Sequence, residues 1–186
     1  MPNVVKNLDV AEVETKPSPV EAIQQYVAEN KPAIGRLLSG EFEISTMVEA
    51  EKLSTMLAAH TPCPDRSSMG FWELLANAVE HGNLEIDYDT KSALLLNGQI
   101  EDEIERRLGM EPYRSRVVNV KFKCTKEHVW LRVTDQGAGF DFKAALDAEM
   151  PMDRPNGRGI LVARNLCFDT LTYEGSGNTV EATINL

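Results

Sequence analysis

Hydrophobic and polar residues alternate most clearly in three stretches of the second half of the chain. The hydrophobic members of the first two are Val118, Val120, Phe122 and Cys124, then Val129, Leu131 and Val133 after a turn at Lys126-Glu127. Those of the third, which follows a turn at 175–178, are Val180, Ala182, Ile184 and Leu186. A period of two is typical of half-buried strands. We therefore predict a hairpin over 118–134 and a further strand at the C-terminal end.

A helical period marks the stretch 71–83, around which we expect the rest of the chain to be organised. Its apolar side contains Phe71, Leu74, Leu75, Ala78 and Val79. The opposite side contains Gly70, Glu73, Asn77, Glu80 and His81. This separation predicts an amphipathic helix with one face on a core and one polar face.

Further helices are predicted before and after it. Thr46, with Glu49 in capping-box position, can start a helix running to about Ala59, preceded by a strand over 41–45. The stretch 84–116 predicts a helical insert whose first helix is capped by Asp89-Thr90. Its second helix carries the charge pairs Asp102–Arg106 and Glu103–Arg107. Shorter helices are predicted over 142–148 and 160–166. Helices gathered before and between antiparallel hairpins favour an α+β fold, a two-layer sandwich.

Length and composition restrict the alternatives. The 186 residues predict one domain over 41–186 with an N-terminal extension, 1–40, that holds a helix near 20–28. No apolar run is long enough to span a membrane, and the N-terminus lacks the apolar stretch of a signal peptide. Three scattered cysteines favour free thiols in a reducing cytoplasm. The net charge of −10 argues against nucleic acid as a partner.

Two groups of polar residues carry candidate chemistry. Glu73 and Asn77, one helical turn apart, form an oxygen-rich patch of the kind that suits Mg²⁺. Asp135 ends the strand 129–134 and is followed by Gly137 and Gly139. Its carboxylate can accept a hydrogen bond from the exocyclic amine of adenine, and the glycines allow a ligand to approach closely. Taken alone, either pattern also fits a solvated helix face or an ordinary turn.

A third candidate is the start of the helix after residue 156. Gly157 and Gly159 expose backbone N–H groups at a helix N-terminus, which favours phosphate. Arg154 and Arg158 lie beside them and can neutralise phosphates, although either also fits a surface charge. The preceding proline-bearing stretch suggests a lid. The P-loop and Rossmann glycine patterns are absent from the sequence.

Together, Glu73-x-x-x-Asn77, Asp135-x-Gly-x-Gly and Gly157-x-Gly resemble the motifs of the GHKL ATP-binding superfamily. The resemblance covers about 42–186 and implies the Bergerat form of the sandwich, with a mixed, mainly antiparallel sheet covered by helices on one face. It implies ATP and Mg²⁺ as ligands, with Asn77 holding the metal and Glu73 acting as general base. It also implies that Asp135, Gly137 and Gly139 form the adenine pocket, with Thr179 near the base, and that Gly157 and Gly159 contact the phosphates.

The sequence Glu-Leu-Leu-Ala-Asn-Ala-Val-Glu-His-Gly-Asn is most similar to the corresponding motif of bacterial anti-sigma factor kinases. That resemblance implies a cytoplasmic serine/threonine protein kinase that phosphorylates a STAS-type antagonist, binds a sigma factor and forms a homodimer. Two alternatives remain open: an ATP-dependent binding module that sequesters a partner, and a histidine kinase catalytic domain. The sequence departs from the small anti-sigma kinases in its extension, 1–40, and its insert, 84–116.

Overall fold

The computed structural model describes residues 35–147 and 159–186. The helix predicted near 20–28 and the predicted lid therefore lie outside the described residues. The division into an extension and a domain stays a prediction.

One antiparallel sheet forms the first layer of the fold. Its strands are β1 (Ser39–Ile44), β2 (Val118–Cys124), β3 (His128–Thr134), β4 (Thr170–Glu174) and β5 (Thr179–Asn185). Their spatial order is β1-β2-β3-β5-β4, and every pair is antiparallel. The predicted hairpin is confirmed, with Val120 opposite Val133 and Phe122 opposite Leu131. The expectation of a mixed sheet is wrong for the described residues.

The second layer consists of helices. They are α1 (Met47–Ala59), α2 (Pro64–Asn77), α3 (Tyr88–Leu96), α4 (Ile100–Leu108), α5 (Phe142–Asp147) and α6 (Gly159–Val162). Helix α2 continues as a π-helical turn, Ala78–Asn83, and α6 continues as another, Ala163–Cys167. A 3₁₀ turn covers Tyr113–Ser115. Buried and exposed positions alternate along β2 and β3, so one sheet face packs on the helices. The predicted α+β sandwich is confirmed.

The core lies between α2 and the central strands. Phe71 is fully buried and meets Phe122 of β2 edge-on, with ring centroids 6.1 Å apart. On its other side the Phe168 ring lies 6.3 Å away. The apolar side predicted for this helix is therefore the side that packs on the sheet.

Helix α2 begins earlier than the sequence analysis placed it. It starts at Pro64, which occupies its first turn, whereas the helical period was assigned to 71–83. Proline is favourable at this position because its ring presets the helical φ and its missing N–H has no intrahelical partner there.

The predicted insert forms two helices, but some of its details differ. The carboxylate of Asp87, and not Asp89-Thr90, caps α3 by accepting the Thr90 N–H at 2.8 Å. The Glu103–Arg107 pair is confirmed at 2.7 Å. Arg106 bonds to Glu103 at 2.6 Å instead of to Asp102. Bonds from these two arginines lower the pKa of Glu103 to about 2.

Three other outcomes concern the last strand, the cysteines and membrane-spanning helices. Leu186 was placed on the inward face of the last strand, but it follows the end of β5 and is exposed. Cys63, Cys124 and Cys167 are free thiols, the last two buried. Within the described ranges, no helix combines the length and hydrophobicity that a membrane crossing requires.

The capping box at the start of α1 offers a direct test of the fold. Thr46 Oγ1 accepts the Glu49 N–H at 3.2 Å, and the Glu49 carboxylate accepts the Thr46 N–H at 3.0 Å. Thr46→Ala should lower the free energy of unfolding by about 1 kcal/mol, because it removes one of these bonds. Urea titration measures the change. Val48→Ala, at an exposed site of the same helix, is the control, and an equal loss in both variants would contradict the capping role.

Candidate functional site

A cavity of about 640 Å³ lies beside the polar side of α2. Its volume is within the range typical of small-molecule sites. Helices α2 and α3, the strands β3, β4 and β5, and the loops after β3 and β4 all contribute to it. The polar or glycine residues of its wall are Glu73, Asn77, His81, Gly82, Asp87, Lys91, Asp135, Gly139, Gly159, Gly177 and Asn178.

Glu73 and Asn77 are joined by a hydrogen bond inside this cavity. Asn77 Nδ2 donates to Glu73 Oε1 at 2.9 Å. The bond orients the carboxamide so that Asn77 Oδ1 is the atom left for a metal ion. The second carboxylate oxygen of Glu73 remains for a proton. The helical spacing therefore gives these neighbouring groups different chemical tasks.

The π-helical turn at the end of α2 changes which side chains face the cavity. Glu80, predicted on the polar face, is 5% exposed, and its carboxylate pairs with Lys91 of α3. His81, predicted on the same polar face, lines the cavity, and its Nδ1 donates to the Ile86 carbonyl. The wider turn therefore displaces Glu80, but not His81, from the face that a 3.6-residue period predicts.

Asp135 lies at the end of β3, as predicted, and forms part of the cavity wall. Its Oδ1 accepts the Gly137 N–H at 2.8 Å. Burial raises the pKa of Asp135 above its usual value, although the Gly137 bond opposes the shift. The carboxyl group therefore takes up a proton at higher pH than an exposed aspartate does. A raised pKa of this kind is common at functional sites.

Gly82 provides the space for Asp135. A Cβ at Gly82 would lie 2.6 Å from Asp135 Oδ1, closer than real Cβ contacts. A Cβ at Gly137 would likewise overlap the Gly82 carbonyl. The backbone at the end of α2 is therefore in direct contact with the Asp135 side chain and with the backbone of the loop after β3. Gly82 is a site residue that the sequence analysis did not select.

The loop after β3 also interlocks with the turn between β4 and β5. Asp135 N–H donates to the Asn178 carbonyl at 3.0 Å, and Phe140 N–H donates to the Ser176 carbonyl at 2.9 Å. Gly139 and Gly177 have φ of 82° and 96°, which disfavours other residues. Thr179 and Gly137 adjoin the wall without lining the cavity themselves. The Thr179 hydroxyl donates to Thr134 Oγ1 at 3.1 Å.

Gly159 lies against the Glu73 side of the Glu73–Asn77 pair. A Cβ at this position would overlap the Glu73 carboxylate. The start of α6 is therefore packed directly on the predicted general base. Arg154, Gly157 and Arg158 lie outside the described residues, so their predicted roles stay predictions.

An aromatic cluster, of which Phe140 and Tyr173 line the cavity, was missed by the sequence analysis. The Phe140 ring meets Tyr173 edge-on at 5.1 Å, and Phe142 stacks on Tyr173 at 5.8 Å. Burial raises the pKa of Tyr173, so its hydroxyl stays neutral at physiological pH. No local pattern joins residues 140 and 173, because they meet only through the sheet.

Asn83 is a further residue that the sequence analysis did not select. It is 1% exposed, and its Oδ1 accepts the Gln136 N–H at 2.8 Å, directly after Asp135. Its carbonyl accepts a bond from Arg116 at 2.8 Å. Within the described part of the chain, Asn83 Nδ2 is the buried side-chain atom without a hydrogen-bond partner. The sequence His-Gly-Asn at 81–83, where the predicted helix ends, was the signal that could have indicated this residue.

The donor set fits a magnesium nucleotide. The described residues contain no cluster of three acidic, histidine or cysteine side chains that would hold a metal by themselves. Mg²⁺ commonly takes one or two protein oxygens and completes its shell with phosphates and water. Asn77 Oδ1 can supply such an oxygen. Asp135 and the glycine-lined space around it suit an adenine amine.

A comparison with protein families agrees with this geometry. The histidine kinase-like ATPase domain matches residues 48–184. The chain therefore belongs to this family of ATPase domains, and membership implies ATP binding. The match includes α2, the loop after β3 and α6. A comparison with individual curated proteins found no match.

The close contact at Gly82 generates a prediction for the site. Gly82→Ala should weaken ATP binding about tenfold or more, because overpacking by one methyl group typically costs ~1–3 kcal/mol and displaces Asp135. Calorimetric titration with ATP measures the effect. Gly109→Ala is the matched control, since a Cβ there meets only ordinary contacts at 3.5 Å or more. Unchanged affinity in Gly82→Ala would show that Asp135 does not depend on this packing.

Proposed function

We propose that the protein is an ATP-dependent protein serine/threonine kinase of the anti-sigma factor type. The observation that carries the proposal is the Glu73–Asn77 pair within a cavity that also contains Asp135. A general base, a metal-binding amide and an adenine-binding carboxylate are then present in one wall. The wording of the motif around Asn77, which resembles anti-sigma kinases, supports this choice within the family.

In this proposal the Asp135 carboxylate accepts a hydrogen bond from the exocyclic amine of adenine and so orients the nucleotide. Asn77 Oδ1 would hold Mg²⁺, which would supply neutralisation of charge on the phosphates. Glu73 accepts the proton of an incoming serine or threonine hydroxyl, whose oxygen bonds to the terminal phosphorus of ATP while ADP leaves. Such proton transfer contributes about 10²–10⁴-fold to a rate, while positioning and charge neutralisation supply most of phosphoryl-transfer catalysis.

The proposed substrate is a small STAS-type antagonist, with a sigma factor as the alternative binding partner and a homodimer as the assembly. These partners rest on the resemblance of the motif, and no contact in the described residues identifies them. The net charge of −10 makes nucleic acid an unsuitable partner.

A non-catalytic binding module is the second candidate. It is favoured by the insert, because α3 and α4 contain no buried residue while Leu96 is 86% exposed. A weakly buried helical pair with exposed leucines suits docking of another protein. In that case ATP would set the conformation of a protein that sequesters its partner.

The first test is calorimetric titration with ATP, with and without Mg²⁺. Asp135→Ala and Asn77→Ala should both lose Mg²⁺-dependent binding, because one removes the adenine acceptor and the other the metal oxygen. Asn97→Ala and Asp102→Ala, at exposed sites of the insert, should bind as the wild type does. A folded wild type that binds no ATP would refute the proposed function.

The second test separates the kinase from the binding module. Glu73→Gln should bind ATP as the wild type does, since glutamine keeps an acceptor for Asn77. Phosphate transfer to a STAS protein should fall about 100-fold or more, because the amide cannot take the proton. Transfer is measured with radiolabelled ATP. Undiminished transfer would exclude Glu73 as the base, and absence of transfer by the wild type to every candidate antagonist would favour the binding module.

A further inference from the structure

The insert contributes a cation to the wall of the cavity. Lys91 of α3 lines the cavity, and its ammonium group pairs with the carboxylate of Glu80. Glu80 lies three residues after Asn77, about one turn further along the same helix. The side chains of Lys91 and Glu80 are 24% and 7% exposed. The pair is therefore partly withdrawn from water, and Lys91 lines the same cavity as Asn77.

The charges of the wall make this lysine conspicuous. Glu73, Asp87 and Asp135 are acidic, whereas Lys91 is the one lysine or arginine among the described residues that line the cavity. A triphosphate carries several negative charges, and acidic walls repel them. Mg²⁺ offsets part of that charge, and a lysine on a flexible four-carbon chain can offset more. The ammonium group has three donors, so bonding to Glu80 leaves donors for a phosphate oxygen.

We propose that Lys91 is a nucleotide-binding residue, supplied by the insert, that contacts the phosphates of ATP, and that Glu80 competes with the phosphates for its ammonium group. The proposal rests on the proposed function, because it requires ATP in this cavity. It assigns to the insert, in which the chain departs from the small anti-sigma kinases, a direct part in the nucleotide site.

A purely structural pair makes a different prediction from a phosphate-binding lysine. If the pair only fastened α3 to α2, removing either charge would weaken ATP and AMP binding alike. If Lys91 binds phosphate, removing its charge weakens ATP binding, whereas neutralising Glu80 releases the lysine from its competing partner. The two substitutions then have unequal effects, and the nucleotide with more phosphates is affected more.

The experiment measures dissociation constants for Mg·ATP and AMP by calorimetry in four proteins: wild type, Lys91→Gln, Glu80→Gln, and the double variant. Lys91→Gln should weaken ATP binding about 10-fold or more, the effect of losing one charge-assisted bond, and weaken AMP binding less. Glu80→Gln should bind ATP at least as tightly as the wild type.

The double variant and one additional control variant exclude trivial explanations. The double variant has no unpaired buried charge and retains a neutral amide pair, so it tests phosphate binding even where Lys91→Gln fails to fold. It should show the same ATP loss as Lys91→Gln. Arg114→Gln removes an equal charge from an exposed ion pair of the insert and should leave ATP binding unchanged.

The outcomes distinguish this inference from the proposed function. If the wild type and the double variant bind ATP equally well, the role of Lys91 is overturned and the proposed function is not. Equal losses in Glu80→Gln and Lys91→Gln, for AMP as for ATP, show a structural pair and also overturn it. A folded wild type that binds no ATP overturns both proposals.

Discussion

The packing of α2 on the sheet is the constraint on which the rest of the site depends. Burial of Phe71 between Phe122 and Phe168 fixes the rotation of the helix about its axis. Removing one such aromatic side chain from a core typically costs ~3–5 kcal/mol, so this rotation is strongly held. Because the apolar side is held against the sheet, Glu73 and Asn77 face the cavity. The site therefore uses the stability of the core to position its polar groups.

The change from α-helix to π-helix at Ala78 has consequences for both the fold and the site. It turns Glu80 into a buried position, where a carboxylate without a partner would be costly. The partner comes from α3, so the insert is joined to the site by an ion pair. Arg107 and Arg116 add bonds to the carbonyls of residues 83–85, at 2.6–2.8 Å. These polar contacts add to the packing of the half-buried Leu94, Ile104 and Leu108 of the insert against the core.

Pairing of β3 with β5 assembles the remaining wall. Thr134, the last residue of β3, lies opposite Thr179, the first residue of β5. The loop after Thr134 and the turn before Thr179 therefore lie at the same end of the sheet. The loop of Asp135 and the turn of Asn178 then bond to each other and enclose the aromatic ring of Tyr173 with Phe140. Close glycine contacts at Gly82 and Gly159 let α2 approach both this loop and α6. Four segments distant in sequence thereby meet in one cavity.

Local sequence patterns were sufficient to predict the sandwich, the 118–134 hairpin, the capping box of α1 and the apolar side of α2. These features depend on residues that are close together in the sequence. The pattern around Asp135 likewise indicated a carboxylate at a strand end. The Glu80–Lys91 pair, the bond from Asn83 to Gln136 and the cluster of Phe140 with Tyr173 were decided by tertiary structure. Their members are separated by 11 residues or more, and a π-helical turn displaces Glu80 from its expected face. Local patterns carry no information on such contacts, which exist only once the strands and helices have packed.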